Sequence, residues 1–111
     1  YGENKVVFYD AVYFFQKLRQ MGKQPEIVEM CHKLLGPVLR YDEEHKTQLT
    51  DTFRCLLVNN ENVKKTAEQL FIHKNTVLQR KNKLTELFGY SPFDMPYRLN
   101  FLMIFDIMEK K

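Results

Sequence analysis

Apolar residues recur at intervals of three and four along almost the whole chain, and this spacing constrains the fold more than any other feature. It places them on one face of an α-helix. Residues that begin or end helices interrupt the pattern at short intervals, namely Gly22, Pro25, the pair Gly36-Pro37 and Gly89. No alternating strand pattern follows the first few residues. The sequence therefore predicts an all-α fold, with about six helices in a single compact domain.

These signals also predict the bounds of the helices. Asp10 is a candidate N-cap for a first helix that ends at Gly22. The second helix is expected to begin at Pro25 and to stop at Gly36-Pro37, because proline cannot continue the helical hydrogen-bond ladder. Residues 1–9 are expected to include an extended remnant of a missing N-terminal region. The remaining helices are predicted over about 46–58, 62–71, 74–88 and 95–109.

The composition is that of a soluble globular protein, with 44% apolar and 28% charged residues among 111. No apolar run approaches the roughly 18 residues that cross a bilayer. Cys31 and Cys55 lack metal-ligand spacing, and we interpret them as free thiols in a reducing cytoplasm. No phosphate-cradling glycine loop and no catalytic triad is present. We therefore expect one domain over residues 1–111 that is not an enzyme and takes no cofactor, no metal and no membrane as a partner.

Positive charge is concentrated in one segment. Residues 1–60 carry eight basic and eight acidic side chains, and residues 91–111 carry three of each. Residues 61–90 carry six basic side chains against three acidic ones, which accounts for the whole net charge of +3. Residues 69–85 contain no acidic residue. Such clustering predicts a surface that binds a polyanion.

The same segment predicts two short helices, 62–71 and 74–88, with a tight break between them, which is the pattern of a helix-turn-helix. Ala67 is small at the place where the two helices would cross closely. Phe71, in the break, is expected to place its ring in the core. The helix-turn-helix and its support are predicted over about 46–90.

The helix predicted over 74–88 has an apolar and a polar face. At about 100° per residue, Val77, Leu84 and Phe88 fall on one side. Amide side chains and one leucine face away from them. Amides can bond adenine bidentately in the major groove of duplex DNA, and an apolar group can meet the thymine methyl. The residues predicted to read bases in this way are Asn75, Leu78, Gln79 and Asn82.

Cations and a hydroxyl border this face, and they predict contacts to phosphates, which supply affinity and register. Arg80 has an open alternative role, in which it holds a carboxylate such as Glu68. His73 precedes the first helical turn and is predicted to cap it. Lys81 falls on the buried side, where its stem can pack while its ammonium reaches the edge. The residues predicted to contact phosphates are Lys64, Lys65, Lys74, Thr76, Arg80 and Lys83.

Several runs of the sequence resemble one protein family. They are TAEQLFIHKNTVLQRKNKL (66–84), DTFRCLLVNNENV (51–63), DMPYRLNFLMIFDIM (94–108) and LLGPVLRYD (34–42). Together they resemble the C-terminal helix-turn-helix domain of PucR/CdaR-type bacterial transcriptional regulators, in which the helix-turn-helix is similar to the Fis type. The resemblance implies a DNA-binding output domain that acts as a homodimer on inverted repeats.

The chain departs from the family pattern at three positions. Position 81 is often apolar in the family, and here it is Lys81. Positions 78 and 79 are often basic and aromatic, and here they are Leu78 and Gln79. Because these two are predicted reading positions, the DNA sequence bound by relatives does not carry over to this chain.

The residues therefore predict sequence-specific binding of double-stranded DNA, with helix 74–88 in the major groove. The alternative is a helical protein-docking module that binds an acidic partner through the same basic segment. Salt dependence and sequence preference on DNA would separate the two.

Overall fold

The apolar spacing is realised as six α-helices in the computed structural model, which describes residues 2–109, with side chains from Val6 onward. The described residues contain no β-strand, so the prediction of an all-α fold with about six helices is confirmed. Across that same span, no helix is both long enough and apolar enough to cross a lipid bilayer. The helices are α1 (Gly2–Met21), α2 (Pro25–His45), α3 (Leu49–Val58), α4 (Val63–Leu70), α5 (Lys74–Phe88) and α6 (Tyr97–Glu109).

Phe53 of α3 lies at the centre of the core. It is fully buried, and the rings of Phe88, Phe93, Phe101 and Phe105 have centroids 5.0–5.5 Å from its own. These four rings come from α5, from the α5–α6 connection and from α6. Aromatic pairs at such distances contribute about 0.5–1.5 kcal/mol each beyond the area they bury. The short helix α3 therefore holds α5 and α6 in place.

The first residues form a helix and not an extended segment. α1 begins at Gly2, so the expected extended remnant within residues 1–9 is wrong over the described part, and residue 1 lies outside it. Asp10 lies inside α1 and does not cap it. The β-branched and aromatic residues at 6–9 favour strands only when they can pack on a sheet, and no sheet is present in the described residues.

The second helix continues through Gly36-Pro37 to His45, where the sequence predicted a stop. Proline inside a helix costs about 3 kcal/mol, because it removes a hydrogen bond and crowds the preceding turn. Here Leu35 and Val38 are buried on either side of Pro37, and their burial fixes both halves of the helix against the core. Tertiary packing therefore overrides the local breaking signal.

Two other helix starts differ from the prediction. α3 begins at Leu49 instead of about Lys46, because Lys46 adopts a left-handed conformation (φ 56°) that ends α2. Its N–H bonds to the carbonyl oxygen of Asp42. α6 begins at Tyr97, two residues later than expected.

Asp42 of α2 caps the following helix. Its carboxylate accepts four hydrogen bonds, from Thr47 Oγ1, from the N–H of Leu49, and from both the N–H and the Oγ1 of Thr50. Burial raises the pKa of the Asp42 carboxyl, but these hydrogen bonds outweigh burial, and the pKa is lowered overall. Two of the free N–H groups in the first turn of α3 are thereby satisfied by a side chain seven to eight positions upstream.

Asp42→Asn should lower the free energy of unfolding at pH 7 by about 1–2 kcal/mol, because the amide nitrogen cannot accept the two hydrogen bonds that one carboxylate oxygen accepts. Because the folded pKa is depressed, the stabilisation is present above the unfolded pKa of about 3.9 and is lost as pH falls through the folded value. Urea unfolding at pH 7 and at about pH 3 would measure both effects. Glu43→Gln, an exposed neighbour on α2, is the control. A stability difference that does not shrink at low pH would contradict the capping role.

Candidate nucleic-acid interface

The helices α4 and α5 form a helix-turn-helix whose ends are closed by side chains and by backbone turns. Asn62 Oδ1 accepts from the N–H of Lys65 at 2.9 Å and caps α4. His73 is the N-cap residue of α5, and its Nδ1 accepts from the N–H of Asn75 at 3.0 Å. Gly89 ends α5 in the left-handed region (φ 79°). The length and direction of α5 are therefore fixed at both ends by local chemistry.

A buried amide joins α4 to α3. Asn59, at the end of α3, donates from Nδ2 to Thr66 Oγ1 (3.2 Å) and to Gln69 Oε1 (2.8 Å). The Cys55 thiol also donates to Gln69 Oε1 at 3.2 Å. Thr66 is fully buried, so its bond with Asn59 lies inside the contact between the helices, whereas Gln69 lies at the exposed edge of that contact. No local pattern reveals this role of Asn59, because its partners lie seven and ten residues away in the sequence.

α5 is held by two fully buried residues, Val77 and Leu84. All four side chains predicted to read bases are exposed on the helix. They include Leu78, which exposes 45% of its surface. The exposed part of this side chain is available for contact with a ligand. The structure therefore places Asn75, Leu78, Gln79 and Asn82 on the solvent side of α5.

Arg80 is oriented by α3. Its Nη1 donates to Thr52 Oγ1 at 2.9 Å, and that hydroxyl in turn donates to the carbonyl oxygen of Gln48 at 3.1 Å. The carboxylate considered for it, Glu68, is not its partner among the described residues. Since the hydroxyl partner is neutral, the positive charge of Arg80 is held in a fixed direction without being neutralised.

Lys81 is neutralised within the protein. Its Nζ lies 2.8 Å from Glu61 Oε2, and its ammonium sits 5.5 Å from the centroid of the Phe93 ring. Glu61 also pairs with Arg98 Nη1 at 3.6 Å, and Arg98 Nη2 donates to Asn60 Oδ1. Glu61 and Asn60 both adopt positive φ, so this cluster fixes a turn that is otherwise unfavourable. Lys81 therefore ties α5 to the α3–α4 turn and to α6.

The other lysines that are predicted to contact phosphates are not neutralised by strong ion pairs within the described residues. Lys64, Lys65 and Lys74 are exposed, and among the described residues no carboxylate pairs with them. Lys83 lies 3.3 Å from Glu86 Oε1 and 5.0 Å from the centroid of the Tyr41 ring. An exposed ion pair of this kind contributes little to the free energy of unfolding, so Lys83 can leave Glu86 to contact a ligand. Thr76 is half-buried.

The structure adds a groove that the sequence did not predict. It has a volume of about 410 Å³ and lies between the α2–α3 turn and α5. Lys46, Thr47 and Gln48 line one wall, and Gln79, Arg80 and Lys83 are among the residues of the other. The local net charge did not reveal Lys46 as part of a basic surface. Three of the five residues before it, Asp42 to Glu44, are acidic and outweigh its positive charge.

Phe71, in the turn between α4 and α5, is the least buried large apolar side chain in the described chain. It exposes 93% of its surface, so the expected core contact is wrong. It ends α4 in the left-handed region, with φ 58°. The next residue, Ile72, packs against the core instead. A side chain in this conformation costs about 1–2 kcal/mol relative to glycine.

Phe71→Gly should therefore raise the free energy of unfolding by about 0.5–1 kcal/mol, since strain is removed and no packing is lost. Phe71→Ala, which keeps the Cβ and the strain, should leave it nearly unchanged. Thermal or urea unfolding of the three proteins would measure the difference. Destabilisation by Phe71→Gly would mean that the ring packs on the domain in solution.

No group of three or more potential metal-ligating side chains occurs among the described side chains, residues 6–109. Cys31 is buried and Cys55 half-buried, and both are free thiols. Burial raises the pKa of the Cys31 thiol, which makes it less reactive.

Comparisons with known proteins identify the family of this chain. The family model of the PucR C-terminal helix-turn-helix domain matches residues 49–107, which include α3 to α5 and most of α6. The chain is 32% identical over 109 residues to the proline-responsive transcriptional activator PutR of Bacillus subtilis (strain 168). The matched region covers 98% of this chain but only 26% of the length of that protein. No solved structure matches the chain. Since the family model covers more than half of the residues, the chain belongs to the family of PucR C-terminal helix-turn-helix domains of transcriptional regulators.

Proposed function

We propose that this chain binds duplex DNA sequence-specifically as the output domain of a bacterial transcriptional regulator in the cytoplasm. One observation carries the proposal. A helix anchored by two fully buried residues presents Asn75, Leu78, Gln79 and Asn82 to solvent, and uncompensated lysines stand at its margins. Membership of the PucR family and the similarity to a transcriptional activator support it.

The exposed face of α5 suits the major groove in size and chemistry. The groove is about 12 Å wide and admits one α-helix. Asn75 and Gln79 are one turn apart on the helix, so both can face base edges within a few base pairs. Their amides can bond adenine bidentately, and Leu78 between them can contact a thymine methyl. Asn82 extends the same face by one further turn.

Phosphate contacts would flank this face on two sides. Lys64 and Lys65 lie in the first turn of α4, and Lys74 begins α5. Arg80 and Lys83 point to the groove beside the α2–α3 turn, and Lys46 stands on its opposite wall. Lys81, which Glu61 neutralises, has no part in this set.

The domain would act on an inverted repeat as part of a homodimer. A single α5 reads only a few base pairs, and a regulator gains affinity and specificity when two copies bind half-sites about 34–36 Å apart. Two-fold symmetry of the protein then requires two-fold symmetry of the DNA site.

Titration against duplex DNA at several salt concentrations tests the function. Affinity should fall steeply with salt, and a subset of sequences should be preferred. Lys46→Ala should weaken all duplexes alike and reduce the slope of log affinity against log salt by about one, whereas Lys33→Ala, an exposed lysine on α2, should not. No affinity even at low salt would exclude the DNA function and favour docking to an acidic protein.

The reading face gives a second, independent prediction. Asn75→Ala or Gln79→Ala should reduce discrimination between preferred and unrelated duplexes by about 1–3 kcal/mol, because a bidentate contact is lost at one base. Lys83→Ala should weaken every duplex to the same degree. Selection from a random duplex pool, followed by titration of single sites, would measure both. An even loss of affinity on all duplexes for Gln79→Ala would show that α5 reads DNA through other residues.

A further inference from the structure

α1 exposes more large apolar side chains than any other helix among the described residues. Its contact with the rest of the domain is concentrated at its C-terminal end. There Arg19 Nε lies 2.7 Å from Asp106 Oδ2, and a Cβ added at Gly22 would come within 2.8 Å of Ile107. The remaining length of the helix presents aromatic and aliphatic side chains to solvent. They are Val6, Val7, Phe8, Tyr9, Val12, Tyr13, Phe14, Phe15 and Met21.

The spacing of these residues identifies the kind of partner. One set recurs at alternating intervals of four and three residues, which is a heptad seam of the kind that pairs with another helix. Its members Val7 and Phe14 expose 66% and 65% of their surface, and Met21 is also exposed. The full seam is Val7, Ala11, Phe14, Leu18 and Met21.

The exposed area fits a second copy of this chain that binds weakly. With Phe8 and Phe15 beside it, the seam exposes roughly 600 Å² per copy, at about 200 Å² for a whole aromatic side chain. Two copies would then bury about 1,200 Å², at the lower end of stable specific interfaces.

We propose that α1 pairs with α1 of a second copy in an antiparallel helix pair, which forms the homodimer. The register follows from seam packing. When Ala11 packs against the partner's Phe14, Val7 comes to lie against the partner's Leu18. The two-fold axis then passes between residues 12 and 13. This inference identifies the surface through which the homodimer of the proposed function would form. Its evidence comes from α1 and does not depend on DNA binding by α5.

Charge decides between the antiparallel and the parallel pair. In the antiparallel register Asp10 faces the partner's Lys17 along one edge of the seam, and the symmetry gives this ion pair twice. Phe8 faces the partner's Phe15 along the other edge. A parallel, in-register pair would instead place Asp10 beside the partner's Phe15, and each Lys17 beside the partner's Gly22. Of the two arrangements, only the antiparallel pair places Asp10 and Lys17 opposite each other.

A groove at the base of α1 has room for the end of the partner helix. It has a volume of about 940 Å³, and its lining residues include Arg19, Gly22, Val28 and Ile107. In the antiparallel register, Val6 of the partner comes opposite Arg19. The N-terminal end of each α1 would therefore reach the groove of the other copy.

Sedimentation equilibrium of the chain without DNA tests the pairing, from about 1 µM to about 500 µM, a range that brackets micromolar dissociation constants. A reversible dimer is expected. Phe14→Ser should raise its dissociation constant at least about tenfold, since two exposed phenyl rings leave the interface. Phe71→Ser, which also removes an exposed phenyl ring, should not change it. A chain that stays monomeric, or a dimer insensitive to Phe14→Ser, overturns the proposal.

A charge exchange tests the register. Asp10→Lys places two lysines opposite each other twice and should weaken the dimer about threefold to tenfold. Adding Lys17→Asp restores opposite charges in the antiparallel pair and should recover the original dissociation constant. Loss without recovery in the double variant overturns the antiparallel register.

The same variants separate this inference from the DNA function. Phe14→Ser should bind a single half-site as tightly as the unchanged chain, because its α5 face is intact, and only its binding to an inverted repeat should weaken. Equal weakening on both duplexes overturns the role of α1 on DNA. If neither protein binds DNA, the proposed function fails, while sedimentation still decides whether α1 pairs.

Discussion

The fold depends on the burial of Phe53. Its ring meets aromatic rings from α5, from the α5–α6 connection and from α6, and it comes from a helix of ten residues. A helix this short is not stable alone in water, so its structure is supplied by the packing around it. The same packing holds α5 through Val77 and Leu84 and leaves the opposite face of that helix free. The presentation of the candidate reading face is thus a consequence of core packing.

Polar side chains around α3 then fix how its neighbours approach it. Asp42 caps the beginning of α3, and Asn59 joins its end to α4. Glu61 binds Lys81 and Arg98 at once and holds the α3–α4 turn. The charged side chains in these contacts are paired within the domain and are not available to a ligand. The basic charge that remains for a ligand therefore lies on the first turn of α4, at the start of α5 and around the α2–α3 groove.

The two candidate interfaces differ in their physics. The α5 face is polar and bordered by cations, so its binding would weaken as salt screens and replaces counterions. The α1 seam is apolar, and its association would depend mainly on buried area, which salt hardly weakens. Because the two surfaces lie on different helices, substitution in one leaves the other intact. Binding of a single half-site through α5 and pairing through α1, as proposed, would therefore respond to different substitutions.

The sequence by itself determined the helical class, the bounds of α5, those of α4 to within one residue, and which side of α5 faces solvent. Periodicity, caps and glycines are local signals, and they act within one or two helical turns. Only the tertiary structure decided that α2 runs through Pro37, that Phe71 is exposed, and that Lys81 pairs with Glu61. It also gave Arg80 a partner 28 residues away in Thr52. These features depend on contacts between residues that are far apart in the sequence, and local sequence patterns carry no information about such contacts.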